Sequence, residues 1–290
     1  MAKVLDGKPV VNALLKRMHE KVEHLREKGV TPTLCLLRIG EKTQDVAYEK
    51  SILKQCEAGG VDVVRIILPK NATQEMLDKK LMEANVDDSI HGILLFRPFP
   101  EQIDDEHTRE LLNPDKDVDG CTVGSLSGIF TNTKIGFAPC TPQAIMEILH
   151  FYGIDIERKR AAVIGRSLVV GRPISAMLMH ENATVVTCHT RTDGVDSITR
   201  EADILVSATG RLNSITAAYT NPHQVIIDVG INWDEERGKI AGDVSYEEVE
   251  PLVNAITPVP GGVGTVTTCV LVEHVIDAAE RAATGEEKPI

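Results

Sequence analysis

The chain has no long apolar run, no paired-cysteine motif, no histidine cluster and no excess of positive charge, and each gap removes a class of function. No stretch approaches the ~20 apolar residues needed to span a bilayer, so no membrane partner is expected. The opening Met1-Ala-Lys-Val-Leu-Asp-Gly7 lacks the apolar core of a signal peptide. With 31 Lys and Arg against 43 Asp and Glu, the formal net charge is -12. That argues against a nucleic-acid binder, which usually carries a basic face. It leaves small anionic ligands open, because local Arg and N–H groups can hold them. The six cysteines (Cys35, Cys56, Cys121, Cys140, Cys188, Cys269) are scattered without a C-x-x-C pair and read as reduced thiols of a cytosolic protein. The nine histidines form no H-x-x-x-H or Cys/His cluster, so no metal site is expected. There is no internal repeat and no low-complexity segment.

What is present is an α/β rhythm over 290 residues, enough for one large or two medium domains. Val11, Leu14, Leu15, Met18, Val22 and Leu25 recur at helical spacing and predict a helix over 8–28. Strands are expected at 33–39, 61–68 and 92–96. Helices are expected at 44–59 and, with Thr73 as N-cap, at 73–84. A second series begins at Pro139-Cys-Thr-Pro142, where Thr141 is expected to cap a helix running to about Tyr152. Its strands are expected at 160–164, 184–188, 203–207 and 224–229, and a last helix at 267–283. This βαβ alternation implies parallel sheets in two α/β lobes, which commonly hold ligands in the cleft between them. Residues 114–140, with Gly and Pro and few apolar runs, are the expected boundary. The tail from Gly285 is expected to fray.

The most informative stretch is Ala161-Ala-Val-Ile-Gly165-Arg166-Ser167-Leu-Val-Val-Gly171-Arg172-Pro173. An apolar strand ends at a glycine, and a second glycine and a proline open a helix. Such a turn offers backbone N–H groups and a helix N-terminus to a phosphate, so a nucleotide cofactor is expected. The spacing is Gly-x-Ser-x-x-x-Gly, not the common Gly-x-Gly-x-x-Gly. Asp115-Lys-Asp117-Val-Asp119-Gly120, Asp228-Val-Gly230-Ile231 and Thr257-Pro-Val-Pro260-Gly261-Gly262-Val-Gly264 also stand at or just past predicted strand ends, where α/β folds bind ligands.

Taken together, Gly165-Arg-Ser-x-x-Val-Gly-x-Pro173, Pro139-Cys-Thr-Pro142, Lys116-Asp-Val-Asp-Gly120 and Pro258-Val-Pro-Gly-Gly-Val-Gly264 resemble the methylenetetrahydrofolate dehydrogenase/cyclohydrolase (FolD) family, in order along nearly the whole chain. The resemblance implies a folate-binding catalytic lobe over 1–120 plus 268–290, and a Rossmann-like NAD(P) lobe over 121–267. It also implies a homodimer. In that family hydride passes from 5,10-methylenetetrahydrofolate to a nicotinamide, and many members then hydrate the methenyl product to 10-formyltetrahydrofolate. By resemblance, Tyr48 packs beside the folate, Asp119 binds the pterin, and Pro260, Gly261 and Gly262 border the substrate. Gly165, Arg166, Ser167, Gly171, Thr190, Arg191, Thr209, Gly210 and Ile231 fall at cofactor-binding positions.

Two positions depart from the pattern. The family lysine one helical turn after the tyrosine is Ile52, and its glutamine partner is Phe96. Lys50 and Lys54 lie two and six residues beyond Tyr48, off the face where i and i+4 meet. Loss of both polar partners leaves neither one unsatisfied, which reads as a remodelled site. Hydride loss needs orientation and no proton acceptor. Hydration needs general acid–base help, typically ~100- to 10,000-fold, which Ile52 cannot supply. A dehydrogenase with weak or absent cyclohydrolase is therefore expected. A bifunctional enzyme and a non-catalytic folate- or nucleotide-binding paralogue remain as alternatives. Arg97 offers a substitute polar group, although a solvent-facing or polyglutamate-binding role suits it better. After the second cofactor-lobe strand, Cys188-His189-Thr190-Arg191-Thr192 has no acid for a free 2′-hydroxyl. Thr190, Arg191 and Arg166 suit a 2′-phosphate, so NADP is expected, with NAD open. Cys188 and His189 are adjacent at a strand end, point to opposite faces and do not form a dyad.

Overall fold

The computed structural model describes residues 2–285, so the tail expected to fray lies almost wholly outside them. The N-terminal half forms β1 (Lys3–Val4), α1 (Gly7–Glu27), β2 (Thr33–Ile39), α2 (Thr43–Gly59), β3 (Asp62–Leu68), α3 (Gln74–Val86), β4 (Gly92–Leu95), α4 (Asp105–Leu111) and α5 (Val123–Thr131). The C-terminal half forms α6 (Cys140–Phe151), β5 (Arg160–Ile164), α7 (Gly171–His180), β6 (Thr184–Cys188), α8 (Val195–Arg200), β7 (Ile204–Ser207), β8 (Val225–Asp228), β9 (Asn232–Asp234), β10 (Lys239–Ala241), α9 (Tyr246–Val249), β11 (Ala255–Ile256) and α10 (Val263–Thr284).

Strands expected at 33–39, 160–164 and 184–188 form over those residues. Thr73 caps α3 as expected, its hydroxyl accepting from Met76 N. Two helix starts differ. Cys140 already opens α6, so Thr141 lies inside it instead of capping it. α10 begins at Val263, because Thr265 N already donates to Gly262 O and the Thr267 hydroxyl to Val263 O. Gly261, at φ 111°, ends the loop, and Gly264 is helical.

The chain divides into two compact units, Met1–Asn12 with Thr141–Thr267 and Ala13–Cys140 with Thr268–Ile290. These bounds differ from those expected at two places, each for a visible reason. The first dozen residues leave the expected catalytic lobe because β1 joins the larger sheet, pairing Lys3 with Ala255 and Val4 with Ile256. Residues 121–140 join the other unit because Asp117 accepts from Cys121 N, Thr122 N and the Ser125 hydroxyl. Arg281 adds a second tie, donating to Gly136 O and lying over the Phe137 ring.

One unit holds a six-stranded parallel sheet in the order β1-β11-β8-β7-β5-β6, with the β9–β10 ribbon beside it. Its core includes Ala162, Ile164, Leu205, Ile226 and Ile256. The other unit holds a three-stranded parallel sheet, β3-β2-β4, packed around Leu37, Leu77, Leu81, Ile93 and Leu95. There α2 is tied to the sheet by an ion cluster. Glu49, 3% exposed, accepts from Arg38 Nε on β2 at 2.5 Å and from Arg65 Nη2 on β3 at 2.6 Å. A buried carboxylate is tolerated only when paired in this way, and removing one partner of such a pair costs about 3–5 kcal/mol. The clamp matters because the residue before Glu49 is Tyr48. No described helix is long and apolar enough to cross a membrane.

Candidate active site

In the three-stranded unit the candidate residues gather at the ends of β4 and the first half of α2. Tyr48 meets Phe96 edge-on, with ring centroids 5.9 Å apart and planes at 65°. Ile52, one turn along α2, is completely buried, and Phe96 nearly so. Both departures from the family pattern are thus core residues. Desolvation pushes the Tyr48 phenol above its usual range, and the charge of Asp119 adds to this. The phenol is a neutral hydrogen-bonding group at any working pH.

The Asp117-Val-Asp119-Gly120 turn divides its labour. Asp117 is buried and spent on structure, accepting from Thr122 N at 2.7 Å and the Ser125 hydroxyl at 2.6 Å. Gly120 turns the chain at φ 68°, where a Cβ would stand 2.4 Å from Pro139 N. That geometry leaves Asp119 half-buried. Desolvation raises its pKa to about 6, helped by the Asp117 charge, while a hydrogen bond from the Cys140 thiol and the Arg97 charge oppose the rise.

Cys140 is a partner that sequence reading did not assign. Its Sγ lies 3.3 Å from Val118 O and 3.9 Å from His274 Nδ1, and burial beside Asp119 holds it as a thiol. His274 donates through Nδ1 to the same carbonyl at 2.9 Å, and burial lowers its pKa, so the ring is neutral. No spacing in the sequence pairs 140 with 274. Arg97 is bound bidentately by Asp105, at 2.5 and 2.6 Å. Asp105 also accepts from Arg109 at 2.9 Å.

In the six-stranded unit the remaining candidates line the C-terminal edge of the sheet. The Gly165 loop is tight. A Cβ on Gly171 would stand 2.1 Å from Gly165 O, and one on Gly165 would stand 2.5 Å from Ala208 O. Ser167 closes the turn by accepting from Val170 N at 3.1 Å, and α7 starts at Gly171. Arg166 is exposed at the loop. On β6, paired with β5 up to Cys188, the chain turns through His189, whose Nδ1 accepts from Arg191 N at 3.2 Å. Thr190 and Arg191 are left exposed at that turn, and His189 faces its own loop rather than buried Cys188.

Thr209, Gly210 and Ile231 are organised by two buried carboxylates: Asp228, whose loop the sequence singled out without giving that residue a role, and Asp243, which it did not mark. Asp243 Oδ2 accepts from Thr209 N at 2.6 Å and Gly210 N at 3.2 Å, and its Oδ1 accepts from Arg211 N and Asn232 Nδ2. Asp228 accepts from Gly230 N, Asp243 N and Val244 N. Burial nevertheless raises its pKa to about 6. A lone Gly-Asp pair between short strands carries no signal of this role. Pro260, Gly261 and Gly262 also belong to this unit, and Gly7 N donates to Gly261 O at 2.7 Å. A nucleotide fits this edge: the glycine turn admits close backbone approach, two arginines are exposed beside it, and the turn after β6 carries no acid before Asp193.

The profile described as tetrahydrofolate dehydrogenase/cyclohydrolase, catalytic domain, matches residues 5–119. The profile of the corresponding NAD(P)-binding domain matches 139–283. A bifunctional protein FolD from Carboxydothermus hydrogenoformans is 46% identical over 281 residues, covering 97% of this chain and 98% of that one. The crystal structure of the bifunctional FolD enzyme of Campylobacter jejuni superposes with a TM-score of 0.93 at 37% identity, covering 97% of this chain and 99% of that one. The Trypanosoma brucei FolD structure, complexed with NADP and an inhibitor, gives 0.89 at 30% identity over 99% of both chains.

Proposed function

We propose a function from one premise: the chain belongs to the tetrahydrofolate dehydrogenase/cyclohydrolase family. Its reaction is the oxidation of 5,10-methylenetetrahydrofolate to the 5,10-methenyl cation with NADP, and its cyclohydrolase activity is weak or absent. The observation that carries the second clause is Ile52, fully buried on α2 one turn from Tyr48, with apolar Phe96 where a glutamine would partner a lysine.

The bound nicotinamide would supply the hydride acceptor, held by the Gly165–Gly171 turn, with Arg166, Thr190 and Arg191 at the 2′-phosphate and Thr209, Gly210 and Ile231 toward the ring. The chain's own residues bind and orient the folate. Ionised Asp119 accepts hydrogen bonds from pterin N–H groups, and its charge favours the cation that develops over N5–C–N10. The Cys140 thiol beside Asp119 works against the rise that burial imposes on its carboxyl. The Tyr48 ring, supported edge-on by Phe96, gives the folate a flat apolar surface. No base is needed for hydride departure, and an ammonium beside the new cation would oppose it. Hydration of that cation needs an activated water, for which Ile52 and Phe96 offer neither donor nor acceptor. A homodimer belongs to the same reading.

The curated relatives are named bifunctional, so hydration is the step to measure. Reduced nicotinamide and methenyl absorbance are followed together on adding methylenetetrahydrofolate. Equal rises in both, with methenyl persisting at its spontaneous decay rate, support the reading. Rapid loss of methenyl to 10-formyltetrahydrofolate overturns its second clause, and no reduction with either nicotinamide overturns its first.

A further inference from the structure

Helix α2 enters the candidate site with little to hold it. Lys42 stands at its N-cap without a side-chain cap hydrogen bond. From Thr43 to Ser51 one residue alone, Glu49, is buried. Ile52, Cys56 and Gly59 continue the buried face at helical spacing, so Glu49 holds the first place of the helix's core stripe. An apolar side chain is the ordinary occupant of such a place. The two turns that carry Tyr48 rest instead on a carboxylate.

That carboxylate is used on both oxygens. Oε2 accepts from Arg38 Nε at 2.5 Å and Oε1 from Arg65 Nη2 at 2.6 Å. In the β2–β3 register Arg38 pairs with Ile67 and Arg65 with Leu36, so the two arginines stand on one face of the sheet, on neighbouring strands. Arg38 also donates through Nη1 to Gly40 O, where the chain turns at φ 73° to leave β2. One guanidinium thus grips both the start of the loop into α2 and the second turn of the helix. Arg38 is 4% exposed and Glu49 3%, so a slide or rotation of these turns would separate charges out of reach of water. An apolar contact tolerates such a slide, and a planar hydrogen-bonding fork does not.

We infer that the Arg38–Glu49–Arg65 clamp positions Tyr48. It fixes the height and rotation of the first two turns of α2, so that the ring stays edge-on to Phe96 and keeps its face to the folate. The inference rests on the folate reading above and adds positioning residues to it. Stability alone does not call for the clamp, because well-packed apolar side chains in place of a buried ion pair commonly hold a fold as well or better. What the clamp adds is a single placement for the residue joined to Glu49.

The test uses Arg38→Met/Glu49→Leu in the full-length protein, which leaves half-exposed Arg65 in solvent. Its urea midpoint is expected to equal or exceed that of wild type. The KM for methylenetetrahydrofolate rises about tenfold, while the KM for NADP stays within about twofold. In a Tyr48→Ala background the same pair of changes moves the folate KM by less than about twofold, because the residue through which the clamp acts is gone. Arg38→Lys keeps the charge and loses the fork, and gives the same selective rise if the apolar pair does not fold. Fluorotyrosine NMR reads the placement without turnover. Of the four tyrosines, only the resonance lost in Tyr48→Phe should shift between wild type and the clamp variants. An unmoved Tyr48 resonance, or equal effects on the folate KM with and without Tyr48, overturns the inference. Absence of nicotinamide reduction by wild type would count against the dehydrogenase reading alone, because the resonance needs no substrate.

Discussion

Tyr48 and Phe96 meet edge to face, 5.9 Å between centroids, and Phe96 is one of the two positions, with Ile52, where the sequence resemblance leads one to expect a polar pair. Ile52 completes the exchange as a fully buried side chain. Converting Ile52 to Lys alone buries an ammonium without an acceptor, and we expect a loss of about 3 kcal/mol by denaturant unfolding. Ile52→Lys/Phe96→Gln returns both partners. It should recover part of that stability and raise methenyl hydration ~100-fold or more over wild type, with methylene oxidation retained. A wild-type hydration rate already equal to that of the double variant would show that another group activates the water.

Asp119, as the proposed pterin carboxylate, should set an acid limb. Its pKa of about 6 means that kcat/KM for methylenetetrahydrofolate should climb as pH rises through that value and then level off. Asp119→Asn should flatten the limb and lower kcat/KM about 10- to 100-fold, the worth of a hydrogen bond to a charged group. The same group affects stability in the opposite sense. Its folded pKa lies above the unfolded value of 3.8, so its favourable contribution is complete below 3.8 and lost as pH rises through about 6. At pH 7 the ionised carboxylate opposes folding, and Asp119→Asn should be more stable than wild type by about 1–2 kcal/mol, an advantage that shrinks toward pH 4. Urea unfolding at the two pH values measures the difference.

Asp243 holds the loop Thr209–Arg211 by its backbone N–H groups and touches Asn232 on β9. Asp243→Asn turns an amide toward those donors. Stability should drop by about 2–4 kcal/mol, and KM for the nicotinamide should rise about tenfold while KM for the folate stays within about twofold. A parallel rise in both constants would mean a general loss of structure and no specific role in the cofactor loop.

Arg191 stands exposed at the turn after β6 with Thr190, and Arg166 stands exposed on the glycine loop. Arg191→Glu removes a partner for a 2′-phosphate and supplies an acceptor for a free 2′-hydroxyl. The ratio of kcat/KM for NADP to that for NAD should drop about 10-fold or more. An unchanged ratio in both Arg191→Glu and Arg166→Ala would place phosphate recognition elsewhere.

The α/β alternation was readable before any coordinates, because buried strands such as Thr33–Ile39 and Arg160–Ile164 are short apolar runs closed by glycine. Local order also marked the glycine turn at Gly165, the Asp119 turn and the exchange of a lysine and glutamine for Ile52 and Phe96. These features depend on residues within a few positions of each other, or on one motif compared with another. Helix starts were less legible. Cys140 and Val263 open their helices without a capping side chain to announce it, because backbone hydrogen bonds alone suffice there.

What tertiary structure alone decided is the set of long-range pairings that tune those local features. β1 joins the larger sheet because Lys3 and Val4 find β11, some 250 residues away. Asp119 is lifted toward 6 by burial and the Asp117 charge, against the opposing pull of a cysteine 21 residues on, itself set against His274. Asp243 gathers donors from the loop after β7 and from β9, which no spacing connects. A sequence states which groups are available, since chemistry and local periodicity belong to residues and their near neighbours. Desolvation, shared carboxylates and alignment across a sheet exist only once distant segments are brought to within hydrogen-bonding distance.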